Sequence, residues 1–178
     1  MANYITISRI LLIFPILGLV STEPSLYNWI ALFLFVLAGI TDHLDGYVAR
    51  KTGSTTSLGA LLDLVADKLL IVLTLSYLIS SSNSILIIIP SLIIIFREIV
   101  ISSMRQILTE SHGSNPVKVS FIAKSKTTLQ IFAVSFLIVS PNFEEIFMIT
   151  TVILFWLAAY VSLHSLYNYI KTYIKLIK

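Results

Sequence analysis

The sequence predicts an all-α integral membrane protein: six transmembrane helices, an N-terminal interfacial segment and both termini in the cytoplasm. Three observations predict it. Hydrophobic residues make up 57% of the 178 and charged residues 12%, with a mean hydropathy of +0.94, whereas soluble chains carry roughly 25% charged residues. Six apolar stretches are separated by polar breaks, each stretch near the ~20 residues that a helix needs to cross a ~30 Å hydrocarbon core. The charges sort to alternate breaks. Length and composition together suit a single membrane domain over 1–178. They exclude a soluble enzyme and a disordered tail. The absence of cysteine excludes disulfides, thiolate catalysis and thiolate metal ligation. Twelve Lys+Arg against nine Asp+Glu leave +3, too small an excess to argue for nucleic acid as a partner.

The first stretch, about 4–20, is short and opens on Asn3, Thr6 and Arg9, so it begins along the interface. The break Ser21–Ser25 leads into the second, about 26–50, and Lys51–Ser57 into the third, about 58–79. Ser80–Ser84 precedes the fourth, about 85–108; the polar Thr109–Val119 precedes the fifth, about 120–139; Ser140–Glu145 precedes the sixth, about 146–174. No terminal segment reads as a cleavable signal. Arg50, Lys51, Lys118, Lys124, Lys126, Lys171, Lys175 and Lys178 lie at or near one set of breaks and the C-terminus; the opposite breaks carry Glu23, Glu144 and Glu145 and no Lys or Arg. The positive-inside rule then places both termini in the cytoplasm. Tyr167, Tyr169 and Tyr173 suit an interfacial belt.

The four aspartates of the chain, Asp42, Asp45, Asp63 and Asp67, all fall in or beside the second and third stretches. An ionisable residue costs about 2.5–3.5 kcal/mol at the centre of a membrane helix, so its presence marks function. On a helix Asp42, Asp45, Gly46, Ala49 and Arg50 form one stripe, and Gly59, Asp63 and Asp67 another. Reversal of the chain at 51–57 lets the stripes face each other. Small residues between them leave room for a ligand or permit close packing. Four carboxylates without thiolates suit two hard divalent cations, Mg²⁺ or Mn²⁺, and a two-metal site suits phosphoryl transfer. Arg50 is placed to meet a phosphate. Two other readings use the same residues: a proton or cation pathway in an ion-coupled carrier, and structural ion pairing with Lys68 as partner.

The run Asp42-His43-Leu44-Asp45-Gly46-Tyr47-Val48-Ala49-Arg50, followed after eight residues by Gly59, Asp63 and Asp67, resembles the D-x2-D-G-x2-A-R-x8-G-x3-D-x3-D signature of the CDP-alcohol phosphatidyltransferases. All eight fixed positions match. Asn3, Thr6 and Arg9 resemble the N-x-x-T-x-x-R opening of the bacterial phosphatidylglycerophosphate synthases within that family. Ala66-Asp67-Lys68, Arg97-Glu98 followed by Arg105, Lys124-Ser125-Lys126-Thr127-Thr128 with Gln130, and Pro141-Asn142 also resemble theirs. Leu64 and Ala123 depart from proline and glycine at the corresponding positions.

The resemblance implies a six-helix homodimer in the bacterial inner membrane, with its metal site open to the cytoplasm. It implies CDP-diacylglycerol as donor and glycerol 3-phosphate as acceptor. Asp42, Asp45, Asp63 and Asp67 would hold two divalent cations, with Asp67 the catalytic base. Gly46, Ala49, Arg50 and Gly59 would line the CDP site beside Asp42 and Asp45, with Thr41 and Ser57 as further candidates. A phosphorylated acceptor needs cations, and Arg97, Arg105, Lys124 and Lys126 supply them. Lys124 and Lys126 are about 200° apart on a helix, so one of them points inward, and Lys124 is the favoured one. Glu98 is expected to orient a basic side chain. The same chemistry with phosphatidylglycerol (cardiolipin synthesis), serine or an inositol phosphate as acceptor is the alternative.

Overall fold

The computed structural model describes the backbone of residues 2–52, 57–112 and 121–177, and the side chains of 7–41, 65–66, 68–108 and 127–174. Among the described residues six α-helices follow one another: α1 Ala2–Leu19, α2 Leu26–Thr52, α3 Ser57–Ser81, α4 Ile85–His112, α5 Phe121–Val139 and α6 Glu145–Ile177. A 3₁₀ turn, Ser140–Asn142, joins the last two. Among the described residues there is no strand. The helices coincide with the six apolar stretches to within a few residues, except that α4 extends into the polar 109–112. Ile85–Leu108 and Glu145–Ile174 are long and apolar enough to cross a membrane; Ile7–Leu19, Leu26–Thr41, Lys68–Ser81 and Thr127–Asn142 are shorter apolar helical stretches.

Packing explains which faces are apolar inside and which outside. α1 packs on α2 and α3, α6 packs on α4 and α5, and α2·α5, α3·α4 and α3·α5 contacts join the two groups. One core runs through all six, with Ile16, Phe35, Leu75, Ile94, Ile138 and Phe155 among its most buried members. Ala31, Ala38, Ala133, Ala158 and Ala159 are buried there too, and such small side chains let helix backbones approach closely. The outer surface carries Phe14, Phe33, Phe96, Ile153, Trp156 and Tyr160, all exposed. Large apolar side chains are thus exposed on α1, α2, α4 and α6, as suits a bundle surrounded by lipid. Arg9, read from sequence as part of a polar interfacial start, is instead 1% exposed within the bundle.

The end of the bundle remote from the aspartates is pinned by two asparagines. Asn28 is fully buried. Its Oδ1 accepts from the Ser21 backbone N–H at 2.8 Å, and its Nδ2 donates to the Glu23 carbonyl at 3.1 Å and to Asn142 Oδ1 at 2.8 Å. Asn142 Nδ2 donates in turn to the Ser25 carbonyl at 2.9 Å. Trp29, Phe143, Phe147 and Phe136 form a chain of ring contacts beside this clamp. A cavity of about 580 Å³, lined by Ser21, Tyr77, Ser81 and Ser140 among others, opens at the same end.

Candidate active site

α2 is unbroken through Asp42, Asp45, Gly46, Ala49 and Arg50, and α3 holds Ser57, Gly59, Asp63 and Asp67. The 3.6-residue spacing that puts these residues on stripes therefore applies to both. The stripes continue buried rows. At 100° per residue Asp42, Asp45 and Ala49 fall within about 50° of the row Ala31, Phe35, Ala38, and Asp63 and Asp67 lie as close to the row Leu70, Thr74, Leu78; all six row members are buried. By helical spacing alone, the acidic positions are in register with those rows. The side chains of Asp42, Asp45, Gly46, Ala49, Arg50, Ser57, Gly59, Asp63, Asp67, Lys124 and Lys126 lie outside the described residues, and so does the facing of the two stripes. Thr41 is described: it is half-buried, and its hydroxyl donates to the Ala38 carbonyl of its own helix at 2.9 Å.

Next along α3 from Asp67, a polar network crosses four helices. Lys68 Nζ lies 2.9 Å from Glu98 Oε2, and Arg97 donates through one terminal nitrogen to Glu98 Oε1 at 2.9 Å. Gln130 Nε2 donates to the same Oε1 at 3.2 Å and to Ser162 Oγ at 3.1 Å. The other terminal nitrogen of Arg97 donates to Ser165 Oγ at 2.9 Å. Arg97, Glu98, Gln130 and Ser162 are all under 5% exposed. An ionised carboxylate is costly to bury unless it is paired and hydrogen-bonded, and the two cations and the amide around Glu98 meet that condition. Glu98 orients Arg97, as its place in sequence suggests. Lys68, the partner in the alternative reading of the aspartates as structural ion pairs, pairs with Glu98; the aspartate side chains lie outside the described residues.

Arg105, two turns beyond Arg97, is half-buried and lies with its guanidinium carbon 5.9 Å from the centroid of the Tyr169 ring. Tyr169 is 8% exposed and packs with Ile101, Leu108 and Leu166 between α4 and α6. Its expected place in an interfacial belt is therefore corrected, because its ring is a core element. Tyr167 is exposed. Sequence reasoning missed Ser162, Ser165 and Tyr169 as members of this region. Their spacing of i, i+3 and i+7 makes a polar row on an otherwise apolar helix, and that row is the signal that finds them. On α5, Lys126 lies within about 50° of the buried row Gln130, Val134, Leu137, whereas Lys124 lies about 110° away.

The description of a CDP-alcohol phosphatidyltransferase domain matches residues 1–162. The chain belongs to the CDP-alcohol phosphatidyltransferase family. As a member it is a phosphatidyl-transferring enzyme. It is 40% identical over 171 residues to a Rickettsia typhi protein named CDP-diacylglycerol–glycerol-3-phosphate 3-phosphatidyltransferase, covering 95% of this chain and 94% of that protein. Proteins of the same name from Haemophilus influenzae and Escherichia coli are 36% and 34% identical, covering 94% and 93% of this chain and 90% of each of those proteins. The CDP-alcohol phosphatidyltransferase match takes in both acidic rows and the network as far as Ser162; Ser165 and Tyr169 lie beyond it. Among the described residues no three His, Cys, Asp or Glu side chains converge as a metal site.

Proposed function

We propose that this chain transfers the phosphatidyl group of CDP-diacylglycerol to glycerol 3-phosphate. The products are phosphatidylglycerophosphate and CMP. The observation that carries this reading is near-full-length similarity to proteins whose names specify both donor and acceptor. The complete eight-residue motif, carried on the two consecutive helices α2 and α3, supports it.

The enzyme works as an integral protein of the bacterial inner membrane, as a homodimer of six-helix protomers, with its site open to the cytoplasm. The apolar outer surface and the segregation of lysines support that placement. An interfacial site suits the substrates, because the donor is a lipid and the acceptor a water-soluble anion.

Asp42, Asp45, Asp63 and Asp67 are the residues that would hold two divalent cations, Mg²⁺ or Mn²⁺. The donor set fits by its chemistry: all oxygen and four negative charges, carried on consecutive helices. Bound there, the cations supply charge neutralisation of the diphosphate and a lowered pKa for the acceptor hydroxyl. Gly46, Ala49 and Gly59 leave room for the nucleotide, Arg50 binds the diphosphate, and Thr41 and Ser57 flank it. Asp67 takes the proton from the glycerol 3-phosphate hydroxyl as that oxygen attacks the phosphatidyl phosphorus. The bond from phosphorus to the CMP oxygen breaks, and CMP leaves.

Arg97 and Arg105, with Lys126 or Lys124, hold the acceptor phosphate and aim its free hydroxyl, a positioning task. Arg97 and Arg105 stand two turns apart on α4, and cationic groups of this kind suit a phosphorylated acceptor. A lipid acceptor such as phosphatidylglycerol would need fewer cations. The test is conversion of labelled glycerol 3-phosphate into a lipid by the purified protein and CDP-diacylglycerol, with the product mass identified as phosphatidylglycerophosphate. Failure to label any lipid overturns the reading.

A further inference from the structure

We infer that Tyr169 is an acceptor-binding residue whose phenol O–H, together with the Arg105 guanidinium, grips the phosphate of the acceptor. This rests on the acceptor reading above.

Three observations carry it. The first is an unmet hydrogen bond. The Tyr169 hydroxyl is buried and has no hydrogen-bond partner among the described residues, while the residue as a whole is 8% exposed. Buried phenols ordinarily find a partner, and a group left unmet calls for a ligand or ordered water to complete it. The second is the neighbour. The Arg105 guanidinium carbon sits 5.9 Å from the ring centroid, close enough for a cation–π attraction. An anion such as phosphate can accept from both a phenol O–H and a guanidinium N–H. The third is the surroundings. Tyr169 lies one turn beyond Ser165 on α6, and Ser165 holds Arg97. Tyr169 therefore stands on the same row of α6 as the residue that holds Arg97, next to Arg105. The apolar contacts with Ile101, Leu108 and Leu166 fix the ring. It can then offer a neutral O–H donor in a fixed position while Arg105 supplies the charge.

Tyr169→Phe tests this, because the ring and its packing are kept and only the O–H is lost. Steady-state rates are measured for the purified variant with each substrate varied in turn, and with inorganic phosphate and CMP as competing inhibitors. The expected result is a rise in KM for glycerol 3-phosphate of roughly tenfold or more, the scale of a hydrogen bond to a charged group. KM for CDP-diacylglycerol and inhibition by CMP stay unchanged, and inhibition by inorganic phosphate weakens by a similar factor. Tyr169→Leu, which removes the ring as well, should raise KM for the acceptor at least as much. An unchanged KM for glycerol 3-phosphate in Tyr169→Phe overturns the inference, as does an equal rise for both substrates. An unsubstituted protein that does not use glycerol 3-phosphate at all overturns the acceptor reading, and this inference with it.

Discussion

Lys68 Nζ and Glu98 Oε2 are 2.9 Å apart, tying α3 to α4 one residue beyond the last aspartate of the motif. The same carboxylate binds Arg97, which reaches α6 through Ser165, and Gln130 of α5. The acidic rows and the basic face of α4 are thereby joined through one buried side chain, and the first expectation concerns that side chain. Removing one partner from a buried ion pair costs about 3–5 kcal/mol, because the other charge is left uncompensated. Glu98→Ala should therefore lower the thermal midpoint of the detergent-solubilised protein by several degrees. It should also raise KM for glycerol 3-phosphate, since Arg97 loses its support. A midpoint within one degree of the unsubstituted protein would contradict the network's role.

Arg105→Ala should raise KM for glycerol 3-phosphate at least tenfold and leave KM for CDP-diacylglycerol within about twofold, on the scale of a lost charge-assisted hydrogen bond. Steady-state kinetics with each substrate varied in turn read this directly. Equal effects on both would place Arg105 in the donor site or in the scaffold.

On α5 the two lysines should separate. Lys126 shares the row of Gln130, Val134 and Leu137, and Lys124 lies well off it. Lys126→Ala should raise the acceptor KM several-fold more than Lys124→Ala. The reverse order would restore the preference that the sequence alone suggests.

The far end of the bundle offers a control. Asn28 is fully buried and uses both ends of its amide against Ser21, Glu23 and Asn142. Asn28→Ala leaves buried polar groups unmet, at about 1–3 kcal/mol for each. Thermal stability should fall, while kcat and both KM values, measured well below the transition, stay near those of the unsubstituted protein. A selective loss of turnover at full stability would mean that this end participates in the reaction.

Much of this arrangement is legible in the sequence because the two signals involved are strong. Runs of Ile, Leu and Phe about one bilayer thickness long mark the helices, and carboxylates inside such runs are too costly to be incidental. The motif spacing places Asp42, Asp45, Asp63 and Asp67 on stripes as soon as α2 and α3 are helical, and both are. Partner choice is less legible. Lys68 is 30 residues from Glu98 in sequence, and its ammonium meets that carboxylate only because α3 packs on α4. Arg9 and Tyr169 depart from the sequence expectation for a related reason. A polar group near a helix end suits an interface by composition alone, and only the neighbouring helices reveal that it is enclosed. Ser162 and Ser165 are ordinary small polar residues until α6 is laid against α4 and α5.

CMP release from CDP-diacylglycerol by the purified protein tests the central claim most directly. Glycerol 3-phosphate, phosphatidylglycerol, serine and an inositol phosphate are supplied in turn, with Mg²⁺ or Mn²⁺ and then with excess chelator. The account predicts rapid release with glycerol 3-phosphate, little with the others, none in chelator, and a loss of about a thousandfold or more in Asp67→Asn, given that a general base alone contributes typically 10²–10⁴-fold. Faster release with an uncharged or lipid acceptor, full turnover in chelator, or near-normal kcat in Asp67→Asn would contradict it.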